Sequence, residues 1–513
     1  MTRSRRFLGG LAFTYGYQAL VLVTGLWLTP FFLRRIGQYD YGLWLVGTQL
    51  LTYLSLTDLG VVALLPQETA YATGRAGGFE NASDLPEIIG RTVRLVLYQL
   101  PIVMAVAAAL WFTIPAKWHE LKGPLLVVTA GYVAFFPFRL LPALFQALQD
   151  LSFRGRMQVV GWVISTGATV SMVSAGWNLY ALAIGWLVSQ TVLMPFFFYR
   201  IRTRFHCILP NRLSALAWES TRAQLTRGLW ASVAQVAQVL MSNTDLLIIG
   251  KLLGPSAVVP YACTGKLAFV LANQAQILMQ TATPGLCELK TAESRKRLFQ
   301  AILGLNHGIL VFSGLIFCIV VPMNRWFVSW WVTAGQYGGG LLTVAILTNM
   351  LFIHWDTVAA YSVFCLGRQR RIALTNLGNG LATAGSTLVL TMFLGPVGAP
   401  LGSMVGTCLV GLPLNLTIIA KDTGVTVPRL IFAMVGGFVW RFTFPAAAVL
   451  LLATRWSPKT FPEAVATMSV ATTFYILLML PGVMRSPLGN YLRPLLGFTI
   501  SRYPFLAKAL SWV

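Results

Sequence analysis

Residues 299–321 read FQAILGLNHGILVFSGLIFCIVV and contain no charged side chain, although the basic segment 295–297 directly precedes them. At about 1.5 Å per residue, an α-helix of this length spans the roughly 30 Å hydrocarbon core of a bilayer. A helix also makes all its backbone hydrogen bonds internally, which an apolar solvent demands. This stretch therefore predicts a membrane-spanning helix.

The same pattern runs along the whole chain. Of its 513 residues, 56% are hydrophobic and only 10% are charged, so little is left for a separate soluble domain. We predict an all-α polytopic membrane protein with fourteen transmembrane helices. The predicted spans are 8–33, 41–66, 93–114, 124–146, 157–175, 179–199, 228–250, 258–283, 299–321, 341–363, 373–394, 399–420, 432–454 and 464–482.

The connections between the spans set the predicted orientation. If Met1 is cytoplasmic, the segments on that side carry 27 of the 38 Lys and Arg residues, and the segments on the other side carry 8. Basic residues accumulate in cytoplasmic loops. We therefore expect both termini in the cytoplasm.

Charge and cysteine content exclude several classes of protein. The net charge of +23 is spread between apolar segments rather than gathered in one basic module, so we expect membrane lipids, not nucleic acid, as the partner. The six cysteines lie singly, without a C-x-x-C pair, and no Asp-x-Asp occurs. The sequence predicts no metal site, no cofactor and no enzyme active site.

The long basic connection after the sixth span divides twelve spans evenly. An offset of 217 residues superposes Gly37 on Gly254 and Trp44 on Tyr261, which indicates an internal repeat. Transporters built from such repeats bind substrate between the halves. The predicted divisions are an N-terminal lobe at 1–200, a cytoplasmic connection at 201–227, a C-terminal lobe at 228–420, and a terminal helix pair with a cytoplasmic tail at 421–513.

Several motifs resemble a known family. They are PFFLRRIGQYDYGLW at 30–44, TDLG at 57–60, NTDLLIIG at 243–250 and LGPVGAPLG at 394–402. Together they resemble Wzx-type polysaccharide-unit flippases of the multidrug/oligosaccharidyl-lipid/polysaccharide (MOP) exporter superfamily, over most of the chain. One departure is that Gln67 and Glu68 stand where the family often has a basic residue after the Asp-x-Gly element.

The resemblance implies a fold and an activity. The fold is two six-helix lobes around a central cleft, with a peripheral helix pair. The activity is movement of a polyprenyl-diphosphate-linked oligosaccharide to the outer leaflet of a bacterial inner membrane, for cell-surface polysaccharide biosynthesis. The implied partners are this lipid-linked oligosaccharide, membrane lipids and other polysaccharide assembly proteins.

Ionisable groups within the spans are the candidates for function, because a charge in lipid is costly. For substrate binding we select three bases and four polar groups: Arg139, Lys266, Arg441, Tyr15, Gln18, Asn376 and Asn379. For gating or coupling we select Asp58, Asp245, His354 and Asp356.

Each candidate also has a purely structural interpretation. Arg139 follows Phe135-Phe136-Pro137-Phe138, and its planar guanidinium suits phosphate oxygens, but it could equally pair with Asp58. Lys266 could pair with Asp245. Arg441 could extend toward headgroups, His354 and Asp356 could be hydrogen-bonded packing residues, and the polar groups could join helices.

Two rival functions remain. A cation-coupled multidrug or metabolite exporter of the same superfamily often has an acidic residue in helix 1, and residues 8–33 contain none. A membrane polysaccharide polymerase or ligase needs a sizeable catalytic loop, and the longest outer loop, about 322–340, contains one base and no acid. We therefore prefer the flippase.

Overall fold

The computed structural model describes residues 3–76, 80–148, 150–210, 218–291 and 295–489. Over these ranges the chain is α-helical, with short 3₁₀ and π-helical turns and no strand. The chain forms two compact units, Met1–Val239 and Leu240–Val513. The predicted all-α membrane architecture is confirmed, while the domain divisions given above stay a prediction.

The first unit contains the helices that precede residue 240. They are α1 (Arg3–Arg35), α2 (Gln38–Leu54), α3 (Val61–Arg75), α4 (Leu85–Thr113), α5 (His119–Phe135), α6 (Leu140–Ala147), α7 (Leu151–Ser174), α8 (Asn178–Arg204) and most of α9 (Trp218–Ser242).

The second unit contains the remaining helices. They are α10 (Asp245–Leu252), α11 (Pro255–Thr291), α12 (Arg295–Trp331), α13 (Gly340–Cys365), α14 (Gln369–Leu394), α15 (Gly398–Gly406), α16 (Leu412–Thr423), α17 (Val427–Ile431), α18 (Gly437–Arg455) and α19 (Phe461–Arg485). π-helical turns at Thr407–Gly411 and Phe432–Gly436 join α15 to α16 and α17 to α18.

The number of fourteen spans is not confirmed. The described chain has eleven helical stretches long and apolar enough to cross a membrane, or twelve if α9 and α10, bent by 49°, form one span. The predicted span 41–66 is divided, because Leu59 and Gly60 adopt left-handed conformations with φ of 48° and 71°. The predicted spans 373–394 and 399–420 belong to one continuous stretch, Arg370–Thr423.

The closest helix packing in the second unit is between α14 and α15. A Cβ atom built on Gly402 would lie 2.3 Å from the backbone nitrogen of Thr387, and one on Gly406 would lie 2.3 Å from Thr383 Oγ1. Glycines spaced by four residues let the two backbones touch. They also leave room for a row of buried polar residues on α14: Thr375, Asn379, Thr383, Thr387 and Thr391.

The terminal helices α18 and α19 pack against α12. The Tyr475 hydroxyl donates to the carbonyl oxygen of Val311 at 2.6 Å. The rings of Phe317 and Phe442 meet edge to face, with centroids 5.4 Å apart. The helix pair is therefore anchored to the second unit by one hydrogen bond and by aromatic packing.

Candidate functional site

The first candidate residue, Asp58, lies in the break between α2 and α3. Its side chain is buried, and its Oδ1 accepts a hydrogen bond from the backbone nitrogen of Val62 at 3.2 Å. The left-handed turn at Leu59 and Gly60 ends the 3₁₀ turn that contains Asp58. A non-glycine residue in this conformation is uncommon, and such strain gathers at functional sites.

This break is held against α9 by backbone contact. A Cβ atom on Gly60 would lie 2.4 Å from the carbonyl oxygen of Gly228, and one on Gly228 would lie 2.6 Å from the carbonyl oxygen of Leu59. The Ser232 hydroxyl donates to that Gly228 oxygen at 3.0 Å. A Cβ atom at either position would collide with a backbone oxygen, so the close approach of the two segments requires glycine at both.

Arg139 lies in a second break, the 3₁₀ turn Phe136–Arg139 between α5 and α6. Its guanidinium donates a hydrogen bond to the Tyr132 hydroxyl. The guanidinium carbon lies 5.4 Å from the centroid of the Tyr132 ring and 5.6 Å from that of Phe136. These cation–π contacts hold the fork in one place within an aromatic wall.

The structure brings Arg139 and Asp58 into one cluster. The two charges interact electrostatically, and the Tyr132 hydroxyl lies between Arg139 and Thr57. Gln99 Nε2 donates to the backbone oxygen of Asp58 at 3.0 Å. Both helix breaks pack against α4, and together with Tyr132 and Gln99 they contribute a guanidinium, a carboxylate, a phenol and an amide. We call this set the Arg139 cluster.

In the second unit, Asp356 is the centre of an amide network. Its Oδ1 accepts from Asn415 Nδ2 at 2.9 Å, and its Oδ2 accepts from Asn379 Nδ2 at 3.4 Å. A Cβ atom on Gly411 would lie 2.8 Å from Oδ2, so this glycine, in a π-helical turn, makes room for the carboxylate. π-Helical turns often mark functional positions.

His354, two residues earlier on α13, faces other partners. Its Nε2 lies 2.9 Å from the carbonyl oxygen of Ala272, and its Nδ1 lies 2.5 Å from Ser313 Oγ. Because a carbonyl oxygen only accepts, Nε2 carries the hydrogen in this arrangement. His354 joins α13 to α11 and α12, which agrees with its interpretation as a packing residue.

Asp245 and Lys266 do not form the ion pair considered from the sequence. Asp245 Oδ2 accepts from the Tyr261 hydroxyl at 2.9 Å, and its buried Oδ1 has no hydrogen-bond partner. Within the described ranges, no ion pair includes Lys266. The sequence placed both charges on neighbouring helices. It could not show that Asp245 would bond to the Tyr261 hydroxyl instead of to the Lys266 ammonium group.

The remaining predicted residues lie on α1, α14 and α18. Gln18 is exposed on α1, and the side chain of Tyr15 lies outside the described part of the chain. Asn376 is half-buried on α14, one turn from Asn379. Arg441 lies on α18, against Gly482 of α19.

Sequence reasoning missed the neutral partners of the charged groups. Tyr132, Gln99 and Asn415 each form a hydrogen bond with a predicted residue. They were not selected from the sequence because their side chains are uncharged. A cation also lies beside Glu68, because Arg91 of α4 pairs with it at 3.7 Å.

Comparison with known proteins supports the family resemblance. Residues 139–329, less than half of the chain, match a family model described as "Polysaccharide biosynthesis protein". No curated protein matches the sequence.

Solved structures resemble the chain over most of its length. A structure described as "Lipid II flippase MurJ, inward closed conformation" has a TM-score of 0.65 at 10% identity, covering 93% of this chain and 100% of that one. A crystal structure of MATE in complex with MaD3S has a TM-score of 0.52 at 14% identity, covering 82% and 96%.

An inward-facing multidrug resistance MATE family transporter of the MOP superfamily has a TM-score of 0.50 at 13% identity, covering 76% of this chain and 95% of that one. At such identities these likenesses establish the fold alone. The chain therefore has the fold that these flippase and transporter structures share, in agreement with the resemblance seen in its motifs.

Proposed function

We propose that this protein is a flippase that moves a polyprenyl-diphosphate-linked oligosaccharide from the cytoplasmic to the outer leaflet of a bacterial inner membrane, for cell-surface polysaccharide biosynthesis. It works by alternating access, with both termini in the cytoplasm. The Arg139 cluster is the observation that carries the proposal. The matched family description, "Polysaccharide biosynthesis protein", and the lipid II flippase fold support it.

The Arg139 cluster suits a diphosphate better than a neutral or cationic ligand. The guanidinium is a planar fork of donors that matches phosphate oxygens. Its hydrogen bond to Tyr132 and its two ring contacts fix its orientation before a ligand arrives. Asp58 balances the charge while the site is empty, and an arriving diphosphate competes with it for Arg139.

Other charged and polar residues have supporting roles in this proposal. Lys266 attracts the anionic headgroup, and Tyr15, Gln18 and Asn376 offer hydrogen bonds to sugar hydroxyls. Arg441 lies in the terminal helix pair, and we leave it out of this route. Asn379 donates to Asp356, so we assign it to the gating network rather than to the sugar. Asp58, Asp245, His354 and Asp356 hold the gating or coupling positions.

Energetics allows this transport without an imported cation. A diphosphate diester carries about two negative charges. Moving each one outward across an inside-negative potential of 100 mV lowers its free energy by about 2.3 kcal/mol. The total is about 4–5 kcal/mol if the charges cross the full field. The isoprenoid tail stays in lipid, so only the headgroup requires a polar path. The lipid-linked oligosaccharide changes leaflet without any covalent change, so we assign no enzyme chemistry to the chain.

One observation favours a second candidate, a cation-coupled exporter of the same superfamily. Asp356 is buried among amides, and no ion pair of the described residues includes it. A buried carboxylate without a base can exchange a proton or a metal cation during transport. The two candidates differ in cargo, because an exporter of cationic drugs has no use for a fixed guanidinium in its path.

The test uses the full-length protein reconstituted in proteoliposomes with a fluorescent lipid-linked oligosaccharide. We expect Arg139→Ala to lower the translocation rate at least tenfold, and Arg139→Lys to recover only part of it, because an ammonium lacks the fork. Arg202→Ala, an exposed base at the end of α8, is the matched control and should keep the wild-type rate.

A second arm replaces the oligosaccharide with a cationic drug. The proposal fails if both Arg139 variants translocate the lipid at the wild-type rate while reconstituting normally. It also fails if the wild-type protein transports the drug and leaves the lipid-linked oligosaccharide in place.

A further inference from the structure

The C-terminal segment that contains the last helices is strongly basic. From Val427 to Val513 the chain contains eight Lys and Arg residues but a single acid, Glu463. Glu463 is already engaged at the start of α19, where its carboxylate accepts from the backbone nitrogen of Lys459 at 2.9 Å. The other end of this helix pair therefore carries bases without any acid from the same segment.

Arg441 is the base that lies deepest in this segment. It follows fourteen residues of continuous helix that begin at Val427, and it is half-buried. A Cβ atom built on Gly482 of α19 would lie 2.4 Å from Arg441 Nη1 and 2.9 Å from its guanidinium carbon. The guanidinium thus lies directly on the backbone of α19, in a notch that a Cβ atom at position 482 would partly fill.

No acid among the described residues pairs with Arg441. The described residues give it no ion pair and no hydrogen bond. The helices that pack against α18 are α12 and α19; α12 contains no acid, and α19 contains only Glu463. Glu463 is nineteen residues from Gly482, about 28 Å along the helix. A lone cation within a membrane helix pair requires a partner from elsewhere.

The notch lies near the end of α19, where we place the lipid headgroups. Gly482 is three residues from Arg485, where α19 ends, and a 25-residue helix is about 37 Å long, somewhat longer than the hydrocarbon core. Side chains on a helix lean toward its N-terminus, so Arg441 leans down α18 toward the same end. This is the end that we assign to the cytoplasm.

We propose that the notch formed by Arg441 and Gly482 is a binding site for the phosphate group of an anionic membrane phospholipid in the cytoplasmic leaflet. The guanidinium supplies a fork of donors to the phosphate oxygens. The missing side chain at Gly482 supplies the space. Basic pockets between transmembrane helices on the cytoplasmic side bind acidic headgroups in this way.

A bulk phospholipid fits this position better than the transported lipid. Arg441 belongs to the terminal helix pair of the second unit, whereas Arg139 lies in the first unit. A phospholipid at Arg441 stays in its own leaflet, so it keeps this half-buried charge neutralised while the transported lipid changes leaflet. The bound lipid then acts as a structural component that fixes α19 against α18.

The experiment compares detergent-purified variants by native mass spectrometry and thermal unfolding, with phosphatidylglycerol added as the probe and phosphatidylcholine as the neutral lipid. We expect phosphatidylglycerol to bind and raise the unfolding temperature of the wild-type protein. Arg441→Gln should bind it at least tenfold more weakly. Gly482→Ala, which pushes the guanidinium out of the notch, should weaken binding in the same direction.

Arg455→Gln is the matched control, because it removes an exposed base at the opposite end of α18; it should bind like the wild type. Arg441→Lys is the second variant if Arg441→Gln does not fold, and it should retain weakened binding. Equal phosphatidylglycerol binding by the wild type and by every Arg441 and Gly482 variant that folds overturns the proposal. So does a response that depends on Arg441 with polyprenyl diphosphate but not with phosphatidylglycerol.

Discussion

Gly60 and Gly228 touch backbone to backbone: a Cβ atom on Gly60 would lie 2.4 Å from the carbonyl oxygen of Gly228. This contact fixes the break that contains Asp58 against α9. Since the same break carries the left-handed residue Leu59, one point of contact supports both the strained backbone and the carboxylate beside it.

Substitution of either glycine should therefore separate the break from α9. In Gly60→Ala the added methyl group meets a backbone atom, and φ of 71° costs about 1–3 kcal/mol for a residue with a side chain. We expect both Gly60→Ala and Gly228→Ala to lower the unfolding temperature and the transport rate. Thermal unfolding in detergent and the proteoliposome assay measure the two effects.

The matched control is Gly167→Ala in α7, where nothing lies within 4 Å of the added atom. Alanine is favoured over glycine in a helix by about 0.5–1 kcal/mol, so this variant should be as stable as the wild type or more stable. A Gly60→Ala protein as stable as Gly167→Ala would show that the break does not depend on the contact.

Tyr132→Phe should impair transport without unfolding the protein. The ring contact with Arg139 remains, but the hydroxyl that orients the guanidinium is lost. A hydrogen bond to a charged group contributes about 1.5–3 kcal/mol, so we expect a rate about ten- to a hundredfold lower. Tyr98→Phe, an exposed phenol on α4, is the control. Equal rates for the two variants would contradict a positioning role for Tyr132.

The amide network predicts the effect of changing Asp356. Asp356→Ala leaves the donors of Asn379 and Asn415 without an acceptor, which costs about 1–3 kcal/mol for each buried group. Asp356→Asn keeps one acceptor and should be less destabilised. Asp422→Ala removes an exposed ion pair with Arg368 at 3.4 Å and should cost about 1 kcal/mol or less. Denaturation midpoints that rank these variants differently would refute the network.

Asp40 predicts a pH dependence of stability. It lies in the first turn of α2, just before the apolar run, and partial burial together with a hydrogen bond to the Glu120 carboxyl raises its pKa to about 6. Two carboxyl groups bond to each other only if one holds a proton. A raised folded-state pKa stabilises the protein at low pH, and this contribution is lost as the pH rises through about 6.

We expect Asp40→Asn to flatten this pH dependence. The amide donates to Glu120 without needing a proton, so the variant should unfold at a higher temperature than the wild type at pH 7.5 and at a similar one at pH 5. The side chain is largely solvated, so the gain is about 1 kcal/mol or less. Unfolding curves recorded from pH 5 to 8 are the measurement. Parallel curves for the two proteins would exclude the shared proton.

Local sequence patterns predicted the helices and most of the buried charges. Apolar runs such as 299–321 became continuous helices, because lipid leaves the backbone no alternative. Gly398 and Gly402, both in the motif LGPVGAPLG, lie on the backbone of α14. These features depend on residues near one another in the chain.

Features that depend on distant residues were not predictable. Leu59 adopts a positive φ that its side chain does not favour, because contact with α9 determines the turn. Gln99 reaches Asp58 across 41 positions, and Asn415 reaches Asp356 across 59. A single sequence carries no sign of such pairings when one partner is neutral.

The interlocked helices α14 and α15 have a mechanical consequence. Each glycine of α15 receives one turn of α14, as Gly402 does with Thr387 and Gly406 with Thr383, so sliding one helix past the other would drive backbone into backbone. We therefore expect the two helices to move as one rigid body. We expect bending between α15 and α16 to occur at the π-helical turn Thr407–Gly411, which is wound more loosely than an α-helix.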